Sequence, residues 1–294
     1  MRPVKILTDS CSDLPRELRE KYDIDYVFMN YTLDGKEYPA NLDWKSMSAT
    51  DFYKTMREGK RFFTNQVPVT EFKRAFTEYV EKGMDVIYIG CSSKQSGSVN
   101  TGFMVAKEMK EQNKDAGIFV IDSLNACIGE GILAIRAAEY RDKGLSAEEI
   151  ATNVEYDRKR VNEFVTVHSL EYLKNAGRVK ASAAFFGNLL GVKPILIADK
   201  NGGQTPIKKV KGRQTSLTEI AELTKETIKD PEDQTIFIMH ADCPEEAAQL
   251  EKIVRETIPC KDVCISYIGP IIGASIGPDA IGIWSFGKEV TYAV

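Results

Sequence analysis

A chain of 294 residues, 43% hydrophobic and 28% charged, is long enough for two domains, each with its own buried core. Its formal charge of −4 and the lack of any lysine/arginine block argue against a nucleic-acid surface. No apolar run approaches the ~18 residues that span a bilayer, which leaves only transient membrane contact open.

The opening MRPVKILTDS carries too short an apolar segment for a secretory signal, so the expected compartment is the cytoplasm. Six cysteines, at 11, 91, 127, 243, 260 and 264, form no C-x-x-C pair and read as free thiols. His168 and His240, the two histidines, lie in unrelated segments without ligand spacing, so neither a metal nor another cofactor is expected.

In chain order, three segments share one grammar: VKILTDSCSDLPRELREKY, DVIYIGCSSKQSGSVNTGFMVAKEMKE and GIFVIDSLNACIGEGILAIRAAEYRDKG. Each is a short β-branched run, a hydroxyl-rich turn and an amphipathic helix-length stretch, the βαβ pattern of a parallel sheet. Ligands of such sheets sit outside the carboxyl ends of the strands, so Asp9-Ser10, Ser92-Ser93 and Asp122-Ser123 are candidates for one shared rim. Ser12 or Asp13 is expected to cap a first helix containing Pro15, and Ser146 with Glu149 makes a capping box.

From about Glu155 the texture changes. FVTVHS reads as a strand, LEYLKNAG as a helix, and VKPILIADKNGGQTPIKKVKG as two strands joined at Asn201-Gly202-Gly203. TIFIMHA, VCISYIG and AIGIWSFG read as further strands, with LTEIAELTKETIKD and PEEAAQLEKIVRETI as amphipathic helices. The expected fold is α/β in two domains: residues 1–155 as a parallel βαβ sheet, and residues 156–294 as an α+β domain whose sheet is mostly antiparallel.

The turn YIGCSSKQSGSVNTG raises the question of chemistry. It matches neither the G-x-S-x-G nucleophile elbow nor either glycine-rich phosphate loop, and it supplies no base for Cys91. Two readings remain. Ser92, Ser93 or Ser96 caps the following helix, or several hydroxyls, exposed amides and the helix dipole together cradle an anion. ASAAFFGNLLGVKPIL, with Phe185, Phe186, Leu189 and Leu190, could line an apolar tunnel, but its helical apolar spacing reads first as core.

The motifs TDSCSDLP, TNQVP, SSKQSGS, Asp122-Ser123, LEYLKNAGRV, LLGVKPIL, KKVKGR and IGPIIGASIGPDAIG, in this order and spacing, resemble the DegV family across nearly the whole chain. These are bacterial proteins similar to fatty-acid carriers, and they include the acyl-binding subunit of fatty acid kinase. The resemblance implies a long-chain fatty acid between two domains, bound rather than turned over, with the chain serving lipid transport or phospholipid metabolism. It also implies a separate kinase subunit as partner. By matching motifs, Thr64 and Ser93 fall where the family's carboxylate-binding hydroxyls lie, with Ser92 and Ser96 beside them.

The resemblance further implies a head-group loop around Gly273 and Ser275, and basic positions Arg178 and Arg213 that screen the head group or face the partner. It moves Phe185, Phe186, Leu189 and Leu190 towards the acyl-chain pocket. The chain departs from the family pattern where Ser275 replaces a histidine and Asp279 a glycine, which bears on kinase coupling more than on lipid binding, and also where Gln95 replaces an apolar residue. Two rivals stand beside the carrier reading: a phosphotransfer or hydrolase enzyme using the hydroxyl rim, and an interaction protein whose lipid pocket has drifted.

Overall fold

The computed structural model describes residues 2–179 and 191–293. These fall into two compact units, one of residues 1–46 and 63–159, the other of residues 47–62 and 160–294. Residues 47–62, which the sequence reading places in the first domain, therefore belong with the second.

In the first unit, β1 (Val4–Asp9), β2 (Ile24–Val27), β6 (Asp85–Gly90) and β7 (Ile118–Asp122) form a wholly parallel sheet in the order β2-β1-β6-β7. β1 is buried at every position, as expected of a central strand covered on both faces. α3 (Val69–Glu81), α4 (Ser98–Gln112), α5 (Ile128–Asp142) and α6 (Ala147–Asp157) pack against these strands. A second, antiparallel sheet was not foreseen: β3 (Asn30–Leu33) lies between β4 (Lys36–Pro39) and β5 (Phe63–Asn65). Its strands are too short to show a clear alternation.

The capping box at α6 forms as read, with Ser146 accepting from the Glu149 amide and the Glu149 carboxylate accepting from the Ser146 amide. The first helix behaves otherwise. α1 (Arg16–Lys21) has no side-chain cap, because the N-cap position is Pro15, whose ring carries no acceptor; upstream, the Asp9 carboxylate takes the Cys11 amide and the Asp9 carbonyl the Ser12 amide.

The second unit is built on β8 (Val161–Thr166), β9 (Val192–Ala198), β10 (Gln204–Lys211), β11 (Thr235–His240), β12 (Asp262–Tyr267) and β13 (Ile281–Phe286). The order is β10-β9-β8-β13-β11-β12, antiparallel except for β11 with β12. The β9–β10 hairpin turns at Asn201-Gly202, where Gly202 takes φ +83° and Asp199 Oδ1 accepts from the amides of Asn201 and Gly203. α8 (Arg213–Thr227) and α9 (Pro244–Thr257) close one core with Phe164, Ile195, Ile236, Ile238, Ile281 and Ile283.

α2 (Ala49–Arg57) joins this unit through its buried Phe52, Tyr53 and Met56. The Tyr53 hydroxyl donates to the Ile268 carbonyl at 2.6 Å, and Arg57 bridges Asp242 and Asp279 at 2.5 Å each. Among the described residues no helix is long and apolar enough to cross a membrane.

Candidate functional site

The three strand ends of the parallel sheet form one rim. Asp9, at the end of β1, accepts from the Cys91 amide at 3.2 Å, and Asp122, at the end of β7, accepts from the Ser93 amide at 3.2 Å. The Ser123 amide donates to the Gly90 carbonyl, and the Ser92 amide to the Asn125 carbonyl. Farther along the turn, Lys94 N donates to the Ser92 hydroxyl, Gln95 N and Ser96 N to the Ser92 carbonyl, and Ser98 N to the Ser96 hydroxyl.

These bonds correct the expectation of a cradle of exposed amides, because the amides of residues 91–96 and of Ser98 are already engaged within the protein. The hydroxyls divide in the same way. Ser92 is buried and turns the chain, while the Ser96 hydroxyl bonds the Ser98 hydroxyl and accepts from the Ser98 amide, just ahead of α4. Ser93 is half-buried, and its hydroxyl makes no hydrogen bond to a described residue. Of the three serines, only Ser93 keeps a side chain available for a ligand.

Thr64 sits on β5 opposite Tyr31, also half-buried and without a side-chain hydrogen bond to a described residue. It does not cap a helix, and neither does Thr70: α3 begins after Pro68 with no side-chain cap. The segment following Thr64 is stitched to the serine turn. Val67 N donates to the Ser98 hydroxyl at 3.1 Å, and Gln66 Nε2 to the Thr101 hydroxyl at 2.8 Å. A β-carbon at Gly97 would overlap the Gln66 carboxamide, which is why a glycine stands there. Gln66, Ser98 and Thr101 escaped the sequence reading; the glycine between two serines was the one available signal.

Beneath the rim lies a buried acid pair. Asp9 accepts from the Tyr88 hydroxyl and from the amides of Cys11 and Cys91, whereas Glu130 accepts from the Thr8 hydroxyl and the Asp9 amide and leaves Oε2 without a partner. Burial, and then the charge of Asp9, hold the Glu130 carboxyl well above its usual range, and burial also raises Asp9 against its hydrogen bonds. The richer set of donors assigns the charge to Asp9 and the proton to Glu130. The Cys91 thiol, favoured as an anion by Cys11 but disfavoured more by burial and nearby carboxylates, is raised and is no activated nucleophile.

In the second unit, the expected loop around Gly273 and Ser275 is a short helix, α10 (Pro270–Ile276). Pro270 starts it and Gly277, at φ +87°, ends it. A β-carbon at Gly273 would strike the Tyr53 hydroxyl, and the Ser275 hydroxyl points back to the Ile271 carbonyl at 3.5 Å. The negative charge of Asp279 is met by Arg57, a residue the sequence gave no reason to single out. Arg213 binds Glu246 through Nε and Nη2 and also donates to the carbonyls of Thr166 and Asp279, so it ties the unit together. Arg178 is exposed just past α7 (Glu171–Ala176), where Gly177 adopts the left-handed cap. Phe185, Phe186, Leu189 and Leu190 lie outside the described residues. Among the described residues, no group of three or more histidine, cysteine or carboxylate side chains is placed to hold a metal ion.

A parallel sheet with a hydroxyl-lined rim at its strand ends, followed by a mostly antiparallel unit, defines a two-unit α/β protein with a polar strand-end site. The sequence model described as "Uncharacterised protein, DegV family" matches residues 3–288, and the chain belongs to that family. It is 37% identical over 287 residues to a DegV domain-containing protein of Clostridium perfringens, covering 98% of each chain. Among solved structures it is similar to a DegV family protein from Thermus thermophilus whose structure is headed "Fatty Acid Binding", at 26% identity and TM-score 0.88, covering 98% of this chain and 100% of that one. It is similar also to DegV of Bacillus subtilis, called a fatty acid binding protein, at 28% identity, TM-score 0.82 and the same coverage.

Proposed function

We propose that this chain binds one long-chain fatty acid, with the carboxylate on the hydroxyls of Ser93 and Thr64, and presents it to a separate fatty acid kinase without turnover of its own. The observation that carries the reading is the Ser93 hydroxyl, which is unengaged at a rim where Ser92, Ser96, Ser98 and Ser123 are all committed. The fatty-acid binding of the Thermus and Bacillus relatives supports it. Phe185, Phe186, Leu189 and Leu190 remain this reading's candidates for the acyl chain, and Arg178 for the partner contact. An acyl tail gains ~0.8 kcal/mol per buried methylene, so a long chain survives purification even after association costs.

The test is mass spectrometry of the denatured purified protein, followed by binding isotherms for palmitate and hexadecanol. Ser93→Ala and Thr64→Ala should each weaken palmitate roughly 10- to 150-fold, the range for a hydrogen bond to a charged oxygen, and hexadecanol far less. Equal losses for acid and alcohol would show that these hydroxyls serve packing and not a carboxylate.

A further inference from the structure

The first unit carries a second concavity. A groove of about 600 Å³ runs along the open edge of the parallel sheet, walled by α4, β7 and α6. That volume lies inside the ~300–1,000 Å³ range of small-molecule sites. Its floor and walls are apolar at Phe103, Ala106, Ile118, Phe119, Val120 and Ala151. Phe103 remains about half exposed at 49%, although it stands over a hollow that could cover it.

The charges over this floor are ordered. Lys107, Lys110 and Lys114 line the groove, and none is ion-paired with a described residue. Lys110 Nζ stands 5.2 Å from the Phe119 ring centroid, which places one ammonium directly above the apolar floor. Glu111 and Glu155 also line the groove, so three cations face two anions and the site carries one net positive charge. An apolar hollow with a single surplus cation is complementary to an apolar body bearing one negative charge.

We propose that this groove is a second ligand site, separate from the serine rim, for an amphiphilic organic monoanion: a carboxylate or sulfonate whose flat or short apolar body lies on Phe119 and Ala151 and whose acid group meets Lys107 and Lys110. A dianion would leave the groove with one uncompensated negative charge. A second copy of the chain is the poorer occupant. Two β7 edges paired antiparallel about a two-fold axis would set the lysines of one α4 against those of the other.

The test titrates 8-anilinonaphthalene-1-sulfonate, and the uncharged N-phenyl-1-naphthylamine, into full-length protein with and without saturating palmitate. The anion should bind saturably at micromolar concentration, at least tenfold more tightly than the neutral probe, and palmitate should not displace it. Lys107→Glu with Lys110→Glu should weaken it at least tenfold, and Ala151→Trp, which fills the groove, should abolish it; circular dichroism melts confirm that both variants are folded. No saturable binding, equal affinity for the neutral probe, or indifference to both variants overturns the proposal. Displacement by palmitate overturns it as well, since the probe would then be reporting the serine rim.

Discussion

Gly97 shows how one missing side chain positions two motifs. The space above its α-carbon is filled by the Gln66 carboxamide, which reaches past it to Thr101. Gly97→Ala should push Gln66 aside, lose that hydrogen bond at about 1 kcal/mol, and loosen the start of α4, measurable by urea denaturation. Palmitate affinity should fall with it, although position 97 offers no polar group to a ligand. At this scale the serine turn was legible from composition: its hydroxyls and glycines announced a polar strand end. The use of each hydroxyl was not legible. It is decided by Asp9 and Asp122, which lie 82 and 29 residues away from the amides they bind. Such pairings depend on strand order, and a linear motif does not contain it.

Elements with local determinants were readable, and those set by their surroundings were not. The Ser146–Glu149 box is a four-residue signal, and Ser146→Ala should cost about 1 kcal/mol in thermal or chemical denaturation. At α1, Ser12 and Asp13 offered an equally plausible cap, but the helix begins later than they predict, with Pro15 at the N-cap position. For α10 the error ran the other way, because a proline just inside and a glycine just past the end mark a helix even over so few residues. Gly273→Ala should drive the Tyr53 hydroxyl off the Ile268 carbonyl, leaving a buried polar pair unmade at roughly 1–3 kcal/mol. Tyr53→Phe should remove most of that penalty, and a double-mutant cycle checks the coupling.

For the molecule as a whole, the acid to watch is Glu163, buried in the second sheet and pushed up to about 7 by burial, against hydrogen bonds from Gln204 and Trp284. Its folded pKa lies above its unfolded one, so its contribution is complete below the ordinary glutamate range and is lost as pH rises through about 7. Compared with Glu163→Gln, the wild type should therefore lose stability between pH 5 and pH 8, by up to ~3 kcal/mol, in paired denaturation curves. A difference independent of pH would place the proton elsewhere.

The membership of α2 in the second unit also sets an order in time. Its buried face of Phe52, Tyr53 and Met56 is synthesised early, yet the Ile268 carbonyl, Asp242 and Asp279 that receive it come near the end of the chain. At about 5–20 residues per second, that apolar helix waits roughly 10–40 s for its partners. The first unit has all its residues by position 159. On the ribosome, a finished half thus carries an unfinished loop, and a chain arrested before β12 displays a helix whose own seat is still incomplete.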